Sequence, residues 1–234
     1  PKRHLLYLHG GAYAIGSAFT YQHFAWQLAQ LYEAKVFLLD YRLAPEAPLP
    51  AALEDALAAY CWLLRRSEIK IEELIVGGDS AGGGLALATV LALRAAGDKL
   101  PGGLFVFSPW TDLALTGSSL IDNKDKEAYL VLPEQLNYLG KFDPYNSFLS
   151  PLHQSLHDLP PLMIQVGSEE ILLDDARRLA EKIAQAEGRV TLEIWQKLPH
   201  CWPLFTDYLP EAKQALMRVG QFIETITSSI WIKR

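Results

Sequence analysis

The chain has 234 residues, a formal net charge of −6 and a 50% hydrophobic composition. That length holds one sizeable core and is short for two, so a single domain over residues 1–234 is expected. The composition excludes a disordered chain, and the acidic balance argues against nucleic acid or an anionic membrane as partner. No apolar run reaches membrane-spanning length and no signal-like segment opens the chain, which points to a cytoplasmic protein. Two cysteines, Cys61 and Cys201, do not make a disulfide framework. Cys201 follows a histidine, but no second Cys/His cluster accompanies it, so no metal is expected.

Taken in chain order, the first expected strand is Arg3–His9, and it runs into His9-Gly10-Gly11-Ala12-Tyr13. Small residues after a strand let a substrate carbonyl approach backbone amides closely. Gly10, Gly11 and Ala12 are therefore candidate oxyanion donors, with His9 shaping the loop. A helix over Thr20–Tyr32, a strand over Lys35–Asp40 and a helix over Leu49–Arg66 follow. The next strand, Glu73–Gly77, meets Gly78-Asp79-Ser80-Ala81-Gly82 and then a helix over Ser80–Ala96. Gly-x-Ser-x-Gly between strand and helix is a nucleophile elbow, which makes Ser80 the candidate nucleophile and the Ala81 amide a further oxyanion donor. Asp79 should point away from Ser80 and is read as structural.

A strand over Gly103–Ser108 precedes a long irregular stretch, 112–160, with one short helix expected near Pro133–Gly140. It is too long for a plain connection and is expected to be a lid or pocket wall. Strand Leu162–Gly167, helix Leu172–Glu187, strand Thr191–Gln196 and helix Glu211–Thr227 complete the pattern. Six strands alternating with helices imply an α/β fold, a mostly parallel sheet covered on both faces.

A serine nucleophile needs a histidine base, and the histidine needs a carboxylate to orient it. In an elbow-bearing sheet the chain order is Ser, acid, His. Of six histidines, only His200 follows the last strand. The acid should follow strand Leu162–Gly167, where Glu169 and Glu170 lie in the loop while Asp174 and Asp175 read as first-turn helix residues. Spacing leaves Glu169 and Glu170 both open.

Six segments in this order resemble the hormone-sensitive-lipase-like family of α/β-hydrolase esterases. They are His9-Gly10-Gly11-Ala12, Asp40-Tyr41-Arg42-Leu43-Ala44-Pro45-Glu46, Gly78-Asp79-Ser80-Ala81-Gly82-Gly83, Ser108-Pro109-Trp110-Thr111-Asp112, Gly167-Ser168-Glu169-Glu170-Ile171-Leu172 and Pro199-His200. The resemblance spans nearly the whole chain and implies the α/β-hydrolase fold. It selects Glu170 as the acid, with Leu172 and Asp174 completing the family's Asp/Glu-x-Leu-x-Asp pattern. It implies a serine carboxylesterase acting on short acyl esters, with no cofactor. Tyr13, Trp110, Trp202 and Phe205 are candidate pocket walls. Two departures stand out. Ala12 replaces the family's third glycine, and family members usually carry two strands and a helical cap ahead of the segment that opens this chain. An unfinished sheet edge and self-association are therefore expected. Two rival readings share the motifs: a non-catalytic binding protein, as in plant hormone receptors resembling these esterases, and a hydrolase of amides, lactones or carbamates.

Overall fold

A computed structural model describes residues 3–66, 69–132, 136–146 and 148–231. Six strands form one parallel sheet: β1 (Arg3–Leu8), β2 (Ala34–Leu39), β3 (Leu74–Asp79), β4 (Gly103–Phe107), β5 (Leu162–Gly167) and β6 (Val190–Trp195), in the order β2-β1-β3-β4-β5-β6. The helices are α1 (Ala18–Leu31), α2 (Ala51–Leu64), α3 (Ala81–Ala96), the one-turn α4 (Ser119–Asp122), α5 (Leu173–Gln185) and α6 (Pro210–Trp231).

Alternation along the strands divides the core in two, because successive side chains leave opposite faces of a sheet. Leu6, Leu8, Val76, Leu104, Val106 and Ile164 face one side, buried with Tyr60 of α2, Leu85 of α3 and Leu179 of α5. Leu5, Tyr7, Ile75, Phe105, Phe107 and Met163 face the other, buried with Phe24 and Leu28 of α1 and Leu216, Val219 and Ile223 of α6. Both faces being covered explains why the central strands read as continuous apolar runs. The two edge strands, β2 and β6, are only half-buried along most of their length.

The strand expected at Leu162–Gly167 agrees with β5 at both ends, and the other strands have at least one end displaced by one or two residues. The largest shift is at β3, which continues to Asp79 because Gly78 and Asp79 pair with Val106 and Phe107. Helix α6 begins at Pro210, whose fixed φ suits a first helical position, and runs past Thr227 to Trp231. The helix expected near Pro133–Gly140 is, in its described part, a single 3₁₀ turn at Asn137–Leu139. Pro133, Glu134 and Gln135 lie outside the described residues.

The chain steps outward from β1 to β2, then crosses back over β1 to β3 and proceeds in the other direction. The reversal leaves a crevice between the carboxyl ends of β1 and β3, where ligands bind in open α/β sheets. The Gly10-Gly11 loop leaves β1 at that crevice and Ser80 leaves β3 there.

Candidate active site

Ser80 has φ 52° and ψ −123°, a conformation that L residues rarely adopt. The surroundings hold it there. Its amide donates to Phe107 O at 2.9 Å, and its carbonyl accepts from Gly84 N at 3.1 Å and Trp110 N at 2.9 Å. The elbow leaves no room for side chains beside it. A Cβ on Gly78 would stand 2.4 Å from Gly82 O, and one on Gly82 would stand 2.1 Å from Leu8 O. Ser80 and the residue after it then open α3, so the Ala81 amide sits at the positive end of a 16-residue helix.

The Ser80 hydroxyl lies 2.9 Å from His200 Nε2, and His200 Nδ1 lies 2.9 Å from Glu170 Oε2. All three side chains are buried, with Glu170 and His200 at 0% and 3% exposure. Their positions fit a nucleophile–base–acid triad. The second carboxylate oxygen, Oε1, accepts from the Ser108 hydroxyl at 2.7 Å and from the Gly167 amide at 2.5 Å. Burial raises the Glu170 carboxyl above the ordinary glutamate value, opposed by the hydrogen bonds from His200, Ser108 and Gly167. Glu169, one residue earlier, is half-buried and does not join this line.

Ser108 is a site residue that sequence reasoning missed. It directly follows β4 with φ 46°, donates to Glu170, and accepts from the Cys201 amide at 3.0 Å. One hydroxyl thus ties the acid to the loop that carries the base. The signal was present in Ser108-Pro109-Trp110-Thr111-Asp112, a segment read only for resemblance.

The oxyanion side requires a correction. The Gly10 amide donates to Asp79 Oδ1 at 3.1 Å and lies 3.2 Å from Tyr21 Oη, so it is turned away from the crevice and engaged elsewhere. The amides of Gly11, Ala12 and Ala81 donate to no acceptor among the described residues. Those three remain as candidate donors. Gly11, Ala12 and Tyr13 all have positive φ, at 119°, 53° and 62°. His9 behaves as expected of a loop-shaping residue. It is fully buried, stacks on Tyr41 at 4.3 Å between ring centroids, and pairs Nδ1 with Gly10 O at 2.8 Å.

Three of the four expected pocket aromatics are core instead. Tyr13 and Trp110 are buried in the cluster beneath α3, their rings 6.2 Å apart. Trp202 packs with Ala212 and Ala215 under α6, against Trp195 at 5.7 Å. An aromatic near a core is drawn into it by the area it buries. Phe205 alone keeps a partly exposed face, edge-on to Tyr129 at 6.2 Å. Tyr129 was not foreseen. Its hydroxyl donates to His200 O, and its ring lies 6.1 Å from that of His200. A cavity of about 480 Å³ adjoins it, lined by Leu115, Leu120, Glu127, Leu130 and Ile171.

Among the described residues no group of three or more His, Cys, Asp and Glu side chains is placed to hold a metal ion. No helix among them is long and apolar enough to cross a membrane.

A family of the α/β-hydrolase fold matches residues 5–204. The chain belongs to it. Within that class it falls among the hormone-sensitive-lipase-like esterases, as its relatives show. An acetyl-hydrolase of Streptomyces hygroscopicus is 44% identical, the match covering 96% of this chain and 76% of the relative. An esterase of Acinetobacter venetianus is 38% identical, covering 95% and 75%. An esterase from the bacterial hormone-sensitive lipase family superposes with a TM-score of 0.92 at 42% identity, covering 97% of this chain and 77% of that one. The crystal structure of EstE5 soaked with p-nitrophenyl butyrate gives 0.91 at 40% identity, covering 97% and 78%.

Proposed function

We propose that the protein is a serine carboxylesterase that hydrolyses short-chain acyl esters through an acyl-enzyme. The observation that carries this reading is the unbroken line from Ser80 Oγ through His200 to Glu170, with both links at 2.9 Å. Ser80 attacks the ester carbonyl while His200 Nε2 takes its proton. The amides of Gly11, Ala12 and Ala81 hold the oxyanion as it forms. His200 then protonates the departing alkoxide, and a water activated at the same nitrogen frees the acid. Glu170 fixes the tautomer of His200 and balances its charge, and Ser108 fixes Glu170. Small acyl groups are favoured by the resemblance to relatives named acetyl-hydrolases.

The non-catalytic alternative is disfavoured because every member of the line is present and hydrogen-bonded. The stretch 112–160 acts as the roof, within a single catalytic domain. Self-association belongs to the same reading. Phe37, Leu39 and Trp62 line an apolar hollow of about 290 Å³ beside edge strand β2, and Trp62 is 49% exposed. Cytoplasmic residence is supported by Cys61 and Cys201 both standing as free thiols.

A p-nitrophenyl ester series from acetyl to dodecanoyl, with and without a fluorophosphonate, tests the reading. Highest kcat/KM at acetyl or butyryl and a single adduct on Ser80 are expected. No turnover by folded protein, or an adduct elsewhere, would overturn it. Sedimentation over a dilution series reads out the assembly.

A further inference from the structure

Asp79 ends β3 with its side chain 1% exposed. A buried carboxylate is costly unless its oxygens are satisfied. Among the described residues no cation lies in hydrogen-bond contact, and neutral donors converge instead, with the Cys201 thiol at 3.9 Å from Oδ2 the most distant of them. Tyr7 Oη donates to Oδ1 at 2.9 Å, Gly10 N to Oδ1 at 3.1 Å, and Tyr21 Oη to Oδ2 at 2.8 Å. Burial raises the carboxyl of Asp79, and the bonds from Tyr21 and Tyr7 oppose the rise. Tyr21 Oη also lies 3.2 Å from the Gly10 amide. One N–H is therefore gripped between an oxygen from β3 and an oxygen from α1.

The gripped N–H belongs to the residue just before the candidate oxyanion donors. Beyond it come three residues of positive φ, a path no regular ladder supports. On the far side the loop is closed by Ala14 N and Ile15 N, both on Gly11 O at 2.9 Å. On the near side Tyr41 Oη holds His9 O at 2.7 Å. Tyr138 Oη holds Ala12 O at 3.1 Å and Ala44 N holds Tyr13 O at 2.8 Å, so the carbonyls are tied on several sides, and the Gly10 N–H is the amide through which β3 and α1 grip the start of the loop. A misplacement of about 1 Å near reacting atoms costs on the order of 100-fold in rate.

We infer that Asp79, with Tyr21 as its second jaw, is a positioning residue that sets the oxyanion loop by holding the Gly10 N–H. The inference rests on the proposed ester-hydrolase reading. The grip acts through acceptor geometry. An amide keeps the Oδ1 that receives both Tyr7 and Gly10, whereas alanine keeps neither bond.

The test uses Asp79→Asn, Asp79→Ala and Tyr21→Phe, assayed with p-nitrophenyl acetate and with a trifluoromethyl ketone transition-state analogue. Asp79→Ala should lower kcat between about 10- and 100-fold with KM within twofold, because the loop binds charge that exists only in the transition state. Affinity for the ketone should fall in parallel. Asp79→Asn should recover most of the rate. Tyr21→Phe removes one hydroxyl from a half-buried ring and should cost about 3- to 10-fold in kcat; it decides the matter if Asp79→Ala does not fold. Hydrogen exchange at the 10–13 amides supplies a readout independent of turnover, and both Asp79→Ala and Tyr21→Phe should speed it while β1 and β3 stay protected. Unchanged kcat and exchange in folded Tyr21→Phe would overturn the inference. So would equal losses in the Asn and Ala variants, which would assign the effect to charge. A wild-type protein that turns over no ester, yet shows loosened loop amides in the variants, would sink the esterase reading and leave the grip standing.

Discussion

The floor of the site and the stretch 112–160, proposed above as its roof, are built by different means. The floor is the set of loops leaving β1, β3 and β5. Every residue from Leu74 to Leu91 is buried, and the backbone path is dictated by glycines with no room for a Cβ. The roof, 112–160, has only α4 and two 3₁₀ turns as regular structure among its described residues. Several of its apolar side chains face solvent, Ile121 at 80% and Val131 at 85% exposure. Leu113, Leu139, Leu152 and Leu156 root the segment in the core, and polar tethers hold the parts nearest the site. Asn123 Nδ2 donates to Ser168 O at 3.1 Å and Glu170 O at 2.9 Å, Ile171 N donates to Glu127 Oε2 at 3.1 Å, Tyr138 Oη reaches Ala12 O at 3.1 Å, and Tyr129 Oη reaches His200 O. Packing fixes the floor throughout, whereas the roof is packed at four buried leucines and held by individual hydrogen bonds between them. Chemistry should therefore be lost at the floor, and selectivity should be tuned at the roof.

The sharpest way to break that contrast is at the floor. Ser80→Ala should lower kcat by about 10⁶, as loss of the nucleophile does in a template triad. Residual turnover of about 10³–10⁴ over water should remain from the oxyanion hole and binding. Glu170→Gln should cost about 10⁴ through the wrong histidine tautomer. Glu169→Gln should change kcat little, because Glu169 lies outside the line. Steady-state kinetics on one short ester compares all three, and a larger loss at Glu169 than at Glu170 would reverse the assignment of the acid.

The same contrast explains what could be read from the sequence. The sheet, both glycine motifs, Ser80 and His200 were legible because local rules govern them: apolar runs for buried strands, glycine where the backbone closes, chain order for the base. Glu170 needed the family resemblance, since two adjacent glutamates present the same chemistry to a spacing argument. Gly10 was misjudged because a Gly-Gly pair says that amides are accessible but not which way each one points. That direction is set by Asp79 and Tyr21, one of them 58 positions from the other. Ser108, Asn123 and Tyr129 escaped notice for a similar reason. Their partners lie 62, 47 and 71 positions away, and no local periodicity records such pairings.

At the roof, effects should be smaller and of another kind. Tyr129→Phe keeps the ring edge on Phe205 and deletes the bond to His200 O. A neutral hydrogen bond contributes about 0.5–1.5 kcal/mol, so kcat should fall by no more than about tenfold. Widening beside the cavity that Tyr129 lines should shift relative kcat/KM toward longer acyl chains. An acyl-length profile unchanged from wild type would show that the roof does not select substrates.

The smallest effect on catalysis, and one on stability instead, belongs to the roof's anchor on α5. Asp175 Oδ2 accepts from Thr111 N at 2.7 Å and Asp112 N at 2.9 Å, which pins the start of the roof to the helix. Burial pushes its carboxyl from the ordinary 3.8 up to about 7, and the neighbouring Asp112 carboxylate adds to the rise against those two bonds. The folded protein therefore keeps a proton that the unfolded chain has lost. Stability from this group is full below about pH 4 and disappears as the pH rises to about 7, a change on the order of 4 kcal/mol. Asp112 has the opposite sign. Hydrogen bonds from Thr116 and His153 outweigh its burial and lower its carboxyl, so its contribution is lost only as the pH falls below 4. Asp79 and Glu170, raised by burial, add to the same downward slope as Asp175, so the informative quantity is a difference between proteins. Asp175→Asn carries no titrating proton and should flatten the fall in unfolding free energy between pH 4 and 7, with kcat within about threefold of wild type. Urea titrations at pH 4, 5.5 and 7 measure it. Parallel curves for the two proteins would mean that Asp175 is ionised throughout, and that the roof is anchored by a carboxylate whose burial the two backbone amides fully offset.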